Sequence, residues 1–247
     1  MTNYGDITFR RSAVRPVECL RGGWELIKDQ YWLFLGMSLV GVLIASAVPL
    51  GILLGPMMCG LYLTFFKKRR GEPIEFGLLF KGFDYFGQSV VAALLHFVPI
   101  MIIAIGAYVV FYAVFLVGVL AMGNDSSGAG LLVMFLFLFL FWIVVMIVIV
   151  VISLGFIFAY PLIVDRGLQG FDAVKLSFQA AMANFLPLLG LSLLTTLLGM
   201  VGMMACYVGA FFVMPVSYAA IAVAYEQVFG LSSGPISQGP PPPPTFE

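Results

Sequence analysis

Gly82-Phe83-Asp84-Tyr85-Phe86-Gly87-Gln88-Ser89-Val90-Val91-Ala92-Ala93-Leu94-Leu95-His96-Phe97-Val98-Pro99-Ile100 is followed about 88 residues later by a second copy of itself. In that copy Gly170-Phe171-Asp172, Ser177, Ala180, Ala181, Phe185 and Pro187 stand at the same relative positions as Gly82-Phe83-Asp84, Ser89, Ala92, Ala93, Phe97 and Pro99, without a gap. A fainter copy opens the chain, shifted by about 154 residues from the last. It sets Glu18 on Asp172, Arg21 on Lys175, Trp24 on Phe178, Tyr31 on Phe185, Gly36 on Gly190 and Ser38 on Ser192. Self-similarity at a fixed period has to be settled first, because it determines how the rest of the chain divides.

Each copy runs into a long apolar stretch. The chain has 247 residues, 62% hydrophobic and 10% charged, with a mean hydropathy of +1.09. Soluble domains carry roughly 25% charged residues, so no aqueous fold hides this much apolar surface. Residues 31–66, 90–122, 131–164 and 185–224 each exceed the roughly 20 residues that cross a bilayer core. Pro49, Gly51, Gly55 and Pro56 divide the first stretch and the small residues from Gly202 to Gly209 divide the last. Six transmembrane helices are predicted, at 31–49, 51–66, 97–121, 132–160, 185–204 and 207–227.

Orientation follows from the basic residues, which favour the cytoplasmic side. Arg10, Arg11, Arg15, Arg21 and Lys28 precede the first span; Lys67, Lys68, Arg69, Arg70 and Lys81 follow the second; Arg166 and Lys175 lie between the fourth and fifth. All twelve fall on one side together with both termini, so the net charge of +0 conceals a strong asymmetry. The predicted fold class is all-α: a polytopic membrane protein of three tandem units, each an interfacial amphipathic helix plus a two-span hairpin. The units cover 13–66, 74–164 and 170–227 within a membrane domain of 13–230, flanked by a cytoplasmic tail, 1–12, and a disordered Pro-rich tail, 231–247. All three units enter from the same side, which predicts a pseudo-threefold axis along the membrane normal.

In the first interfacial helix Val17, Leu20, Trp24, Ile27 and Tyr31 recur at helical spacing, with Glu18, Arg21, Glu25 and Lys28 on the other side. In the second, Phe76, Leu79, Phe80, Phe83 and Phe86 form the apolar face. Lys67, Lys68, Arg69, Arg70 and Lys81 beside it are candidate contacts for anionic lipid or a partner. The alternative is that they only set topology. Glu18, Asp84 and Asp172 lie in or just before a first helical turn, where a carboxylate is favoured. His96 aligns with Asn184 and Gln30 where the interfacial helix becomes a span. Helix capping and junction hydrogen bonding are therefore the roles expected of Glu18, Asp84, His96, Asp172 and Asn184.

Chemistry is poorly provided for. His96 is the only histidine, and Cys19, Cys59 and Cys206 have neither metal nor disulfide spacing. Hydrolysis needs a nucleophile with a base, or a metal with several ligands. No HExxH, GxSxG or CxxC occurs, so no catalytic residue, metal or cofactor is expected. Span interiors hold Ser and Thr but no Asp, Glu, Lys or Arg, which weighs against an ion-coupled carrier. Pro56, Pro161 and Pro215 nonetheless offer places for broken helices. Gly51 with Gly55, and Ala205 with Gly209, are small pairs that suit close helix packing or a homo-oligomer. Pro240 to Pro244 is compatible with polyproline II, either as a ligand or within a disordered tail.

Gly55-Pro56 with Gly60, Arg70-Gly71-Glu72 followed by Leu79-Phe80-Lys81-Gly82-Phe83, Tyr160-Pro161 with Asp165, and the Ala173–Asn184 segment with Leu176-Ser177 carry a resemblance. The chain is similar to a bacterial family of uncharacterised six-span integral membrane proteins, some of whose members form the membrane-anchoring domain of glycerophosphoryl diester phosphodiesterases. The resemblance implies the fold and a bacterial inner-membrane location, and no activity. That family's catalytic barrel, at about 250 residues, is not expected in the short stretch after the sixth span. The function expected is non-enzymatic: binding or organising partner proteins or lipids at the cytoplasmic face. The rival is a transporter or lipid-translocating protein for a small or apolar substrate. Expected partners are the bilayer, anionic lipids, and a membrane protein or second copy; nucleic acid is not among them.

Overall fold

A computed structural model describes residues 7–47, 51–122, 128–204 and 208–232. Pro49, residues 123–127 between the third and fourth predicted spans with Asp125 among them, Cys206 and the proline run lie outside the described residues. Among the described residues the chain is all-α, with helices α1 (Pro16–Ile27), α2 (Tyr31–Ser46), α3 (Leu54–Arg69), α4 (Phe86–Met122), α5 (Gly128–Gly155), α6 (Ala159–Arg166), α7 (Gly170–Ala183), α8 (Phe185–Met204) and α9 (Val208–Phe229). Short 3-10 segments cover Lys28–Gln30 and Phe76–Tyr85.

The three segments aligned in the sequence bury the same positions. Cys19, Gly23, Leu26 and Ile27 are buried in the first, Tyr85, Ser89, Ala92 and Ala93 in the second, and Ala173, Ser177, Ala180 and Ala181 in the third. That spacing of i, i+4, i+7 and i+8 makes one helix face, and it is built mostly of small residues. Small residues let backbones approach closely. A Cβ on Gly23 would lie 2.7 Å from Ala220 N on α9. Gly55 on α3 meets the Ser89 backbone, its ideal Cβ falling 2.5 Å from the carbonyl oxygen. Ser177 Oγ donates 2.7 Å to the Gly155 carbonyl at the end of α5. The first copy thus rests on α9, the second on α3 and the third on the end of α5.

The large apolar residues of these segments face outward. Val17, Phe83 and Phe171, equivalent in the repeat, are 70%, 39% and 63% exposed. Trp24, Phe76, Phe80, Phe86 and Phe178 are exposed as well. On α1, Cys19, Gly23, Leu26 and Ile27 turn inward, whereas Val17 and Trp24 of the expected apolar face turn out. Hydrophobicity singled out the large residues that can meet lipid, while backbone approach selected the small ones.

Residues Met1–Leu95 with Leu154–Glu247 form one compact unit, and His96–Ser153 form a second. The second unit is a hairpin of the later turns of α4 and most of α5, where Phe111 meets Trp142 at 6.1 Å between ring centroids. Its outer surface is almost wholly apolar and exposed. In the first unit α3 is the hub: from Gly55 to Phe66 only Met58 is not buried. Phe34 of α2 stacks on Phe65 at 5.0 Å, and Phe66 meets Tyr225 of α9 at 5.4 Å.

Among the described residues five helical stretches are long and apolar enough to cross a membrane: Pro16–Ser46, Phe76–Leu120, Gly130–Arg166, Phe185–Met204 and Val208–Phe229. The predicted second span is α3, which at 16 residues is shorter than these five. The remaining boundaries differ in two places. α4 runs unbroken from Phe86 to Met122, so His96 lies inside a helix and not at a junction. The predicted fourth span divides instead, because α5 stops at Gly155 and α6 starts at Ala159. Ser177 holds this break from outside, accepting the Phe158 N–H at 3.1 Å while donating to Gly155. Of the other prolines, Pro56 sits in the first turn of α3 and Pro215 inside a continuous α9.

Candidate polar site at the ends of α3, α6 and α9

Helices α3, α6 and α9 end alike: the residues just beyond them, Gly71, Gly167 and Gly230, have φ of 73°, 62° and 67°. Left-handed glycines stop helices at little steric cost. Basic residues fill the last turns of α3 and α6, where carbonyl ends of the helix dipole favour cations.

Asp165 stands where these ends meet, its side chain fully buried. Tyr225 donates to its Oδ2 at 2.8 Å, and Ser232 Oγ to Oδ1 at the same distance. Arg70 Nη2 lies 3.3 Å from Oδ1 and also donates to the Ser232 carbonyl at 3.1 Å. Arg166 Nε is 3.1 Å from Oδ2, at an angle too poor for a hydrogen bond. Arg166 Nη2 instead donates to the Phe229 and Gly230 carbonyls, each at 3.1 Å. Beside this group Arg69 Nε donates to Glu226 Oε2 at 2.9 Å. Burying a carboxylate is expensive unless it is paired and hydrogen-bonded, and Asp165 is both. With both oxygens occupied it serves as an anchor and is not free to act as a base.

The basic run therefore divides by function. Arg69 and Arg70 are committed to carboxylates inside the fold, Lys67 pairs with Glu72 at 3.3 Å, and Lys68 donates to Gln30 at 3.2 Å. Lys81 is exposed. Of the expected capping residues, Glu18 and Asp172 stand in the first turns of α1 and α7. Glu18 also pairs with Arg15 at 3.0 Å. Asp84 lies in the 3-10 segment just before α4. His96 Nε2 is 3.4 Å from Ser153 Oγ within the hairpin unit.

Asn184 does hold a junction, in a way its position in the sequence does not reveal. Lying fully buried between α7 and α8, it donates from Nδ2 to the Ala180 carbonyl at 2.9 Å and to the Arg10 carbonyl at 3.0 Å. Its Oδ1 accepts the Ala13 N–H at 2.9 Å. The N-terminal segment is thereby strapped down, and Arg10 N to Val228 O at 2.8 Å and Arg15 N to Gln227 Oε1 at 2.9 Å tie it to the end of α9. Beside the strap lies an open cleft of about 320 Å³ lined by Arg10, Ser12, Ala13, Arg15, Glu18 and Gln227.

Sequence reasoning missed Asp165, Tyr225 and Glu226 as partners of the basic run. The available signal was that Asp165 and Arg166 adjoin each other at the end of an apolar stretch, the same situation as Arg69 and Arg70. No protein-family model, no curated protein and no solved structure matches the chain.

Proposed function

We propose that the chain is a non-enzymatic integral membrane protein of six spans in three tandem units, which binds or organises anionic lipids or membrane partners at a cytoplasmic charged face. The observation that carries this reading is the outward row of apolar residues, Val17, Phe83 and Phe171, recurring at equivalent positions beside cations. An exposed apolar face flanked by Lys and Arg suits the boundary between headgroups and acyl chains.

Six crossings are supported by where the chain ends meet. The segment before α1 bonds to the last turn of α9, so the first and last spans open on one side. Five crossings would separate those ends, whereas counting α3 as a sixth brings them together. The short α3 suits this role because it is covered by protein instead of lipid. The bacterial inner membrane and cytoplasmic termini follow from the family resemblance and the positive-inside rule. Topology reporters should read outside at Asp125 and inside at Lys68 and at the C-terminus; an outside reading at Lys68 would refute the six-span arrangement.

For lipid binding, the informative variant is Lys67→Gln with Lys68→Gln and Lys81→Gln, leaving Arg69 and Arg70 with their carboxylates. Each basic residue near an anionic surface contributes about 1 kcal/mol. The triple variant should therefore retain at least about tenfold less phosphatidylglycerol than wild type in mixed nanodiscs. Equal retention would count against lipid organisation by this face.

One observation favours the transporter reading: the Gly155–Ala159 break lies within an otherwise apolar membrane stretch, as in discontinuous carrier helices. Protein-dependent flux into proteoliposomes that falls with Pro161→Ala or Thr195→Ala would make it the better reading.

A further inference from the structure

Hydroxyl groups on membrane helices commonly bond the carbonyl three or four residues back, because lipid offers them no partner. Thr64, Thr195 and Ser217 do so here, donating to the Gly60, Ser192 and Val213 carbonyls at 2.9, 3.0 and 3.3 Å. Ser38 of α2 does not. It is only 3% exposed, and its Oγ has no hydrogen-bond partner among the described residues. Leaving a buried hydroxyl unpaired costs more than an ordinary hydrogen bond contributes, so such a group calls for a partner. The surroundings of Ser38 show of what kind. It lines a small cavity enclosed by α2, α3, α9 and the Phe76–Tyr85 segment. At about 10 Å³ the cavity is close to the least space that holds a single water molecule. Met37, Gly41, Met57 and Leu79 supply apolar wall, and Tyr218 of α9 is the other polar side chain on it. An apolar cavity stays dry, whereas one bounded by two hydroxyl groups offers a water the two partners it needs. Both hydroxyls can donate as well as accept.

We propose that this cavity is a binding site for one ordered water molecule, hydrogen-bonded to Ser38 Oγ and to the Tyr218 hydroxyl, which joins α2 to α9 inside the membrane domain. The water satisfies Ser38 where its own helix does not, and it takes the place of a direct side-chain bond between the two helices. A bridging water of this kind is nearly as favourable in enthalpy as a direct hydrogen bond. The site is independent of the lipid-binding reading, since neither Ser38 nor Tyr218 belongs to the charged face.

The test uses the full chain in phosphatidylcholine liposomes, isotope-labelled at its methionine methyl groups, with magnetisation transferred from water read by solid-state NMR. Met37 and Met57 should receive it although they are only 0% and 2% exposed, while Met146, on the apolar outer surface of α5, serves as the dry reference. Ser38→Ala removes one of the two partners and should abolish the transfer to Met37 and Met57. Gly41→Ala should abolish it by taking the space: its methyl group would stand 3.7 Å from Leu79 and from Met57, an ordinary contact that leaves the fold intact. Tyr218→Phe keeps the ring, loses the second hydroxyl and should weaken the transfer. Thermal unfolding supplies an independent sign. With a water in place, Ser38→Ala should lower the melting temperature by about 2–4 °C, whereas removing a hydroxyl that is truly unpaired raises it. Absence of transfer to Met37 and Met57 in wild type overturns the proposal, as does transfer unchanged in any of the three variants. A raised melting temperature for Ser38→Ala overturns it equally.

Discussion

Replacing Asp165 with alanine should destabilise the protein by about 3–5 kcal/mol, the cost of removing one partner from a buried ion pair. The magnitude follows from what is left behind. Arg70 is 17% exposed and Arg166 24%, so neither guanidinium regains full hydration, and the Tyr225 hydroxyl loses its acceptor. Asp165→Asn retains the shape and one acceptor for Tyr225 but removes the charge, and should fall between alanine and wild type. The measurement is thermal or denaturant unfolding in a fixed detergent or nanodisc. A double-mutant cycle with Arg70→Ala should show coupling of about 0.5–3 kcal/mol, as groups in one network do. Additive losses would mean that the two residues act separately, contrary to the geometry.

An equally large loss is expected from Gly82→Val, for a steric reason. A Cβ on Gly82 would fall well inside van der Waals contact of the Pro56 carbonyl oxygen and only 2.5 Å from Gly60 N. Gly60 in turn faces the Leu79 backbone just as closely. Overpacking a core usually costs about 1–3 kcal/mol because side chains give way. Here the obstructing atoms are backbone on both sides, so α3 and the Phe76–Tyr85 segment must separate along their contact. The expected cost exceeds that range, and the variant should fail to yield folded protein. Gly87→Ala is the matched control: it adds a methyl group where no atom lies within 4 Å. In the first turn of α4 it should be neutral or stabilise by less than the roughly 1 kcal/mol typical of a helix interior. Comparable losses from both substitutions would show that close approach is not what glycine provides at position 82.

The limits of helices were largely legible in the sequence. α8 matches its predicted span of 185–204, and α2 and α9 lie within about three residues of theirs. Hydropathy reports what lipid accepts, and these helices are apolar enough along their length to cross a membrane or, with α2, to form part of a stretch that does. It is less informative where protein replaces lipid. α3 is apolar where neighbouring helices surround it, and α1 packs through Cys19 and Gly23, which give little hydrophobic signal, together with Leu26 and Ile27. The junction at His96 was misread because an internal alignment transfers residue positions, while helix continuity depends on local backbone bonding. Phe86 to Met122 contains no obstacle at position 96, and Pro99 is accommodated inside the helix. The polar site was hidden for another reason. Its pairs join residues 60 to 174 positions apart, beyond the reach of any periodic pattern. The aligned segments came closest to the packing, since Gly23, Ser89, Ala92, Ala93, Ser177, Ala180 and Ala181 are among the residues buried.

The location of those partners along the chain has a consequence for synthesis. Tyr225 and Ser232 follow Asp165 by 60 and 67 residues, and Asn184 follows Ala13 by 171. A ribosome makes the carboxylate and the N-terminal segment well before the groups that secure them. Until α9 has been inserted, Asp165 has only its arginines, and the N-terminal segment lacks its tie to Val228. The last span therefore works as a clasp: its arrival brings Tyr225 to Asp165 and Glu226 to Arg69, and adds Gln227 and Val228 to the hold that Asn184 already has on the segment before α1.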